Sequence, residues 1–417
     1  MAVAVEHHKA GTRARLLLLL GPAFVAAIAY VDPGNVAANL TAGARYGYLL
    51  VWVLVAANAI AVFIQYQSAK LGIVTGSSLP ELLGSRLGTG TRRAFWVQAE
   101  LVAAATDLAE VIGGAIALNL LFGLPLPVGG LIVGLVAIGI LAIQSRRGQR
   151  PFEMVILGLL GVISIGFLAG LFVSPVDWRA AVGGLVPRFD GAPTVLLAAS
   201  MLGATVMPHA IYLHSALSRD RHGKAATTPT GINRLLRATK IDVLAALALA
   251  GAVNIAMLLL AAASLGGASG TDTIAGAHAA ISEALGPVIG VVFAVGLLAS
   301  GLASTSVGSY AGATIMAGLL KMRIPLLTRR VVTLIPALVI LAVGVEPTWA
   351  LVISQVFLSL GIPFAMIPLL RLTGSRAVMG DRVDGRWMRV LGFVIATLVV
   401  VLNVALVVLT VSGWAGG

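Results

Sequence analysis

Eleven apolar runs constrain this chain more than any other feature. They fall at roughly 16–40, 46–69, 94–121, 125–144, 153–173, 192–216, 241–264, 285–318, 331–345, 349–370 and 390–412. A helix of about 20 apolar residues crosses the hydrocarbon core of a bilayer. Lipid leaves a backbone no choice but a helix or a closed barrel. The expected fold class is therefore an all-α polytopic membrane protein with eleven transmembrane helices. Composition agrees: 59% of the 417 residues are hydrophobic and 11% charged, against about 25% charged in a soluble domain. The opening HHKAGTRARLLLLLGPAFVAAIAY has the basic end and apolar run of a secretory signal peptide. The run is too long for one and ten more come after it, so it is read as an uncleaved first span. Cysteine is absent, which removes disulfides, thiolate metal sites and thiol redox chemistry together.

The net charge of +12 would suit nucleic acid if it were gathered on one surface, but it alternates with the spans. The N-terminus holds 3 Lys/Arg, and the segments after spans 2, 4, 6, 8 and 10 hold 4, 3, 6, 4 and 5, which is 25 of the chain's 28. Arg45, Arg179 and Arg188 are left for the other side. Basic loops stay in the cytoplasm, so the N-terminus is expected there and the C-terminus outside, extracellular or periplasmic. The basicity reports topology and not a nucleic-acid partner.

An ionisable group at the bilayer centre costs about 2.5–3.5 kcal/mol on insertion scales, so the few that occur there mark function. Those well inside spans are Asp32 in span 1 and Glu100, Asp107 and Glu110 in span 3. Span 6 adds His209 and His214, span 10 adds Gln355, and spans 2 and 11 carry Asn58 and Asn403. Asp32 is followed by Pro33, which has no amide hydrogen and clashes with the carbonyl four residues back. Gly34, which tolerates unusual backbone angles, comes next. The helix should unwind there and leave carbonyls near Ala29 without helical partners. Such carbonyls are tolerated in hydrocarbon only where they line a cavity or coordinate something. Asp32 and Asn35 add a carboxylate and an amide oxygen to the same spot.

Span 6 carries a second break. Ala204-Thr205-Val206-Met207-Pro208 aligns with Ala29-Tyr30-Val31-Asp32-Pro33, both reading Ala, any residue, Val, any residue, Pro. Span 1 opens the first five spans and span 6 the next five, which enter the membrane inverted because five is odd. Interrupted helices at matching positions of inverted halves point to a binding site at the midplane. The organisation expected is a tail 1–15, a first five-helix repeat 16–173, an outer connection 174–191, a second repeat 192–370, a cytoplasmic loop 371–389 and span 11 with a short tail over 390–417. Asp32, Asn35 and freed carbonyls are hard oxygen donors. Met207, aligned with Asp32, brings a soft thioether, and such a mixed set favours Mn²⁺ or Fe²⁺ over Mg²⁺ and Ca²⁺. The plainer reading of Met207 is a gap-filling core residue.

On span 3, Glu100 and Asp107 are seven residues apart and share a face, with Glu110 about 60° round from Asp107. Acids in a row along one helix suit a proton relay; the alternative is a static ion-pair network with basic helix ends.

DPGN in span 1 together with MPH in span 6 resembles the Nramp family of proton-coupled divalent-metal transporters, above all the bacterial manganese transporters. The likeness continues through GARYGYLLVWVLVAANAIAVFIQYQSAKLGIVTG and QAELVAAATDLAEVIGGAIALNLLF. The resemblance implies the LeuT-type 5+5 inverted-repeat fold with discontinuous spans 1 and 6, one extra C-terminal span, and metal import with proton cotransport. It implies metal ligation by Asp32, Asn35 and Met207, with the carbonyls of Ala29 and Ala204 and the amide of Gln355 joining in some states. Gln355 read by itself is equally a glutamine bonded between helices. The family passes protons through acids matching those of span 3 and an arginine near the start of span 9, for which Arg329 and Arg330 are both candidates. His209 matches a histidine that affects proton movement, though a structural hydrogen-bonding role is as good from the sequence. Mn²⁺, with Fe²⁺ and Cd²⁺, is cargo; no prosthetic group is expected, and a monomer is.

The nearest rival is a symporter on the same fold that carries an amino acid or other organic substrate; Asp32 would repel a carboxylate there, and Met207 would contribute little. An intramembrane metalloprotease needs a His-Glu-x-x-His helix, which the chain lacks. A channel would show neither saturation nor dependence on the proton gradient. The hydroxyl-rich GLASTSVGSY of span 8 is read as close helix packing.

Overall fold

The computed structural model describes residues 21–222, 228–266, 270–271, 273–322 and 324–415. Every regular element among them is helical. Span 1 is α1 (Pro22–Ala27), a 3-10 turn (Ile28–Val31) and α2 (Pro33–Tyr46). Spans 2 and 3 are α3 (Val51–Thr75) and α5 (Thr89–Phe122), with the short α4 (Leu79–Arg86) between them. Then come α6 (Leu126–Arg147), α7 (Gln149–Val173) and the small α8 (Trp178–Gly183). Span 6 is α9 (Gly191–Thr205) and α10 (Pro208–His222), and span 7 is α11 (Pro229–Ser264). The chain continues through α12 (Ile274–Leu285), α13 (Pro287–Leu320), α14 (Leu326–Val343) and α15 (Pro347–Thr373). It ends with the single turn α16 (Arg376–Met379) and α17 (Arg386–Ala415).

Nine helices among the described residues are long and apolar enough to cross a bilayer, or ten if Phe357–Thr373 and Arg376–Arg382, bent by 72°, form one span. The expected count of eleven is not reached by that measure. Residues 16–20 of the first run lie outside the described residues, and the remainder of span 1 is broken into pieces of which Pro22–Val31 is too short to qualify. Helices also overrun the apolar runs: α11 begins at Pro229, twelve residues ahead of its run, and α14 at Leu326, which takes Arg329 and Arg330 into a helix. Helix α12 was not foreseen, because its run of small residues is too short to read as a span.

The inverted repeat is visible in which helices touch. Helix α2 of span 1 packs on span 7, and α10 of span 6 packs on span 2, the same relation with the halves exchanged. Likewise span 8 packs on span 5 and span 3 on span 10, while the most extensive interface joins α5 to α13, the third helix of each half. That interface is close because it is lined with glycine: a Cβ on Gly301 would stand 2.9 Å from the Gly114 Cα. Small residues of this kind let membrane helices approach backbone to backbone.

Candidate metal site

The break in span 1 forms as the sequence requires. Pro33 has no N–H to give the carbonyl of Ala29, and Asp32 turns extended (φ −72°, ψ 167°) to become the N-cap of α2, its Oδ1 accepting from the Asn35 amide at 2.9 Å. Gly34 is needed for space, since a Cβ there would lie 1.9 Å from the Gln355 Nε2 and 3.0 Å from the Asp32 Oδ2. Gln355 therefore lies over the break, against the free oxygen of Asp32. In span 6, α9 ends at Thr205, and Val206 and Met207 lead to Pro208 at the head of α10.

The two breaks meet. Asn35 Nδ2 donates to Asp32 Oδ1 at 2.6 Å and to the carbonyl of Ala204 at 2.8 Å, and the Thr205 hydroxyl donates to Asn35 Oδ1 at 3.4 Å. An NH₂ group thus lies between two anionic or carbonyl oxygens from opposite halves, the position a cation bound by both would take. Turning the amide by 180° presents its oxygen instead. Asp32, Asn35, Ala29, Ala204 and Met207 are all inaccessible to solvent, and Gln355 is 5% exposed. Asp32 Oδ2 and both polar atoms of the Gln355 amide have no hydrogen-bond partner among the described residues. A buried carboxylate oxygen costs free energy unless something binds it. Among the described residues no three His, Cys, Asp or Glu side chains cluster to hold a metal, so the Asp32 carboxylate meets neutral groups here, the Asn35 amide and through it the Ala204 carbonyl, and Met207 is buried two residues past Thr205.

The unwound carbonyls correct one expectation in part. Those of Tyr30 and Val31 are not left open: Asn254 Nδ2 of span 7 donates to Tyr30 at 2.6 Å, and Ser300 Oγ of span 8 donates to Val31 at 2.5 Å. Asn39 Nδ2 in turn donates to Asn254 Oδ1 at 2.8 Å. Gln65 Nε2 donates to the Tyr30 hydroxyl at 2.6 Å and its Oε1 lies 2.7 Å from His214 Nδ1. These side chains satisfy the polar groups of the break, and nothing in the sequence singled out Asn39, Gln65, Asn254 or Ser300. Their one mark there is to be amides and a hydroxyl well within apolar runs.

Span 3 carries its acids towards α13 and α14. Arg330, fully buried, donates to Asp107 Oδ1, which also accepts from the Thr305 hydroxyl at 2.6 Å. Arg329 Nη2 donates to Glu100 Oε1 at 2.6 Å. The two arginines therefore divide between two acids. Gly312 makes room for the Arg329 guanidinium and Gly308 for the Glu110 carboxylate, so the small residues of span 8 do serve close packing. Glu110 is fully buried, and neither of its oxygens has a hydrogen-bond partner among the described residues. A Cβ on Gly113 would fall 2.1 Å from the Pro33 Cβ, so this helix touches the break itself. His209 is buried, one residue past Pro208, with neither ring nitrogen bonded among the described residues. A cavity of about 530 Å³, lined by Gly34, Thr41, Arg45, Glu346 and Gln355 among others, runs from the end of α2 down to the break.

Helices interrupted at matching places in two inverted halves, with polar donors where they meet, define a membrane transporter of the LeuT fold. MhsT, solved with L-phenylalanine, shares that fold at a TM-score of 0.60 and 15% identity, over 92% of this chain and 98% of that one. The chain belongs to the Nramp family: the profile described as natural resistance-associated macrophage protein-like matches residues 23–409. A Mycobacterium tuberculosis protein named divalent metal cation transporter MntH is 60% identical over 395 residues, 95% of this chain and 92% of that one. The Bacillus subtilis protein of the same name is 46% identical, over 94% and 92% of the two chains. A crystal structure of an Eremococcus coleocola manganese transporter in complex with an aromatic bis-isothiourea substituted compound superposes with a TM-score of 0.86 at 33% identity, covering 94% of this chain and 86% of that one.

Proposed function

We propose that this chain imports Mn²⁺, and with it Fe²⁺ and Cd²⁺, by alternating access coupled to proton entry. It is a transporter and not an enzyme. The observation that carries the reading is the buried Asp32 carboxylate at the junction of the two breaks: its Oδ1 is linked through Asn35 to Ala204 of the opposite half, and its Oδ2 has no partner among the described residues. The names of its relatives support divalent metal as the cargo. The proposed ligands are Asp32, Asn35, Met207, the carbonyls of Ala29 and Ala204, and Gln355.

The metal enters through the cavity above Gly34 and sheds most of its water to these donors. A proton leaves the neighbourhood of Asp32 or His209 and passes to Glu110 and the Asp107–Arg330 pair, on a route separate from the metal's. Glu100 and Arg329 continue it. Rocking of the bundle that contains spans 1 and 6 then opens the inner side. With the N-terminus in the cytoplasm, the negative interior drives cation entry by about 2.3 kcal/mol per charge per 100 mV. The chain acts as a monomer in the cell membrane.

Proteoliposomes test this by uptake of radioactive Mn²⁺ against a set of amino acids, with and without an inward proton gradient. Saturable Mn²⁺ uptake that the gradient accelerates and Asp32→Ala abolishes is the expected result. Amino-acid uptake, or metal flux that neither saturates nor responds to protons, would refute it.

A further inference from the structure

The transport route leaves unused a groove of about 510 Å³ on the basic side of the chain, between the lower parts of α15 and α17. Its wall includes Leu370, Phe393, Ala396 and Val400. Arg371, in the last turn of α15, and Arg389, in the first turn of α17, line its polar end. Both arginines are exposed, and neither guanidinium has a protein partner among the described residues. A Cβ on Gly374 would reach the Arg389 Cδ at 3.3 Å, so the arginine's stem lies against the residue that follows α15, three positions past Arg371. The one acid on the wall, Asp384, is already matched: Lys70 Nζ donates to its Oδ1 at 2.5 Å and Gln67 Nε2 to its Oδ2 at 2.6 Å. The uncompensated charge in the groove is therefore positive. Trp387, 84% exposed beside Arg386 and Arg389, is a residue type that settles at the headgroup level. The apolar wall runs from that level into the hydrocarbon.

We propose that the groove holds one anionic phospholipid, with an acyl chain along α15 and α17 and its phosphate shared by Arg371 and Arg389. Guanidinium forks match phosphate oxygens in pairs, and basic pockets between membrane helices select anionic headgroups. A zwitterionic lipid would carry its own cation to a place that already has two. The lipid joins α17 to α15, the helix that bears Gln355. Asn403 Nδ2 joins the same two helices deeper in the membrane by donating to the Ser359 carbonyl at 2.6 Å.

Native mass spectrometry of the full chain in a neutral detergent tests this, with phosphatidylglycerol and phosphatidylcholine of identical acyl chains. One phosphatidylglycerol should be retained about thirtyfold better, the attraction of two basic side chains near a membrane surface. Arg371→Gln/Arg389→Gln should abolish the preference. Ala396→Phe, which leaves both arginines and fills the wall, should lower phosphatidylglycerol retention as well. Equal retention of the two lipids, or a preference that survives either variant, overturns the proposal. Displacement by millimolar inorganic phosphate also overturns it, because a free-anion site would then explain the charges.

Discussion

Asp107→Asn separates a proton relay from a static ion pair, provided its effect on folding is removed. Asp107 is 3% exposed and Arg330 fully buried, so their charges have little water to fall back on. Asparagine keeps the size of the side chain and can still accept from Thr305, but it leaves the Arg330 guanidinium facing a neutral amide. Breaking one partner of a buried pair costs about 3–5 kcal/mol. Arg330→Met should cost a similar amount by stranding the carboxylate. In the double variant Asp107→Asn/Arg330→Met no uncompensated charge remains, and a coupling of up to about 3 kcal/mol should return. The assay has two arms: thermal unfolding in detergent, and metal-stimulated acidification of proteoliposomes read by an internal pH dye. Both single variants should be unstable, and the double variant should recover stability without recovering proton entry. A double variant that regains proton entry would show the pair to be scaffold. Single variants as stable as the parent would show that the pair does not carry the energy assigned to it.

Gly113→Ala should lower Mn²⁺ uptake, since its Cβ would meet Pro33 at 2.1 Å and overpacking costs about 1–3 kcal/mol. Gly139→Ala, with open space around it, is the control in the same uptake assay and should be silent. Met207→Ala should keep Mn²⁺ transport while letting Ca²⁺ or Mg²⁺ compete for uptake, and unchanged Ca²⁺ exclusion would remove the thioether argument. Outside the membrane, partial burial pulls the Glu81 carboxyl up, but the Ser78 amide, donating at 2.8 Å, and Arg219 outweigh it and hold the pKa low. A lowered carboxyl stabilises fully above the ordinary carboxylate range and loses that contribution as pH falls through its folded value. Thermal midpoints should therefore drop less on acidification in Glu81→Gln than in the parent, the parent alone having this contribution to lose.

Much of the site was legible because prolines and charges are costly in lipid and so stand out. Asp32-Pro33-Gly34 marked the first break, and Pro208 with its aligned neighbours the second. The acids of span 3 were marked by their seven-residue spacing. What stayed hidden depended on rotation and depth. Arg329 and Arg330 are about 100° apart on a helix, and their apolar run begins only at Val331, so neither could be matched to an acid from the sequence. Neutral amides such as Gln65 and Asn254 cost too little in a span to stand apart from packing residues, yet they hold the unwound segment. Ser300 and Thr305 were lost among the other hydroxyls of their helix. Helix starts such as Pro229 ran ahead of the apolar runs because polar turns continue a helix beyond the membrane.

If donors from two inverted halves, one of them a thioether, surround one divalent cation, X-ray absorption at the Mn or Cd edge of the metal-loaded protein will show a mixed oxygen and sulfur shell. The chain has no cysteine, so any sulfur in the shell must come from methionine. One sulfur among oxygens, lost in Met207→Ala, is the predicted result. An all-oxygen shell in the parent, or a sulfur that persists in the variant, would contradict it.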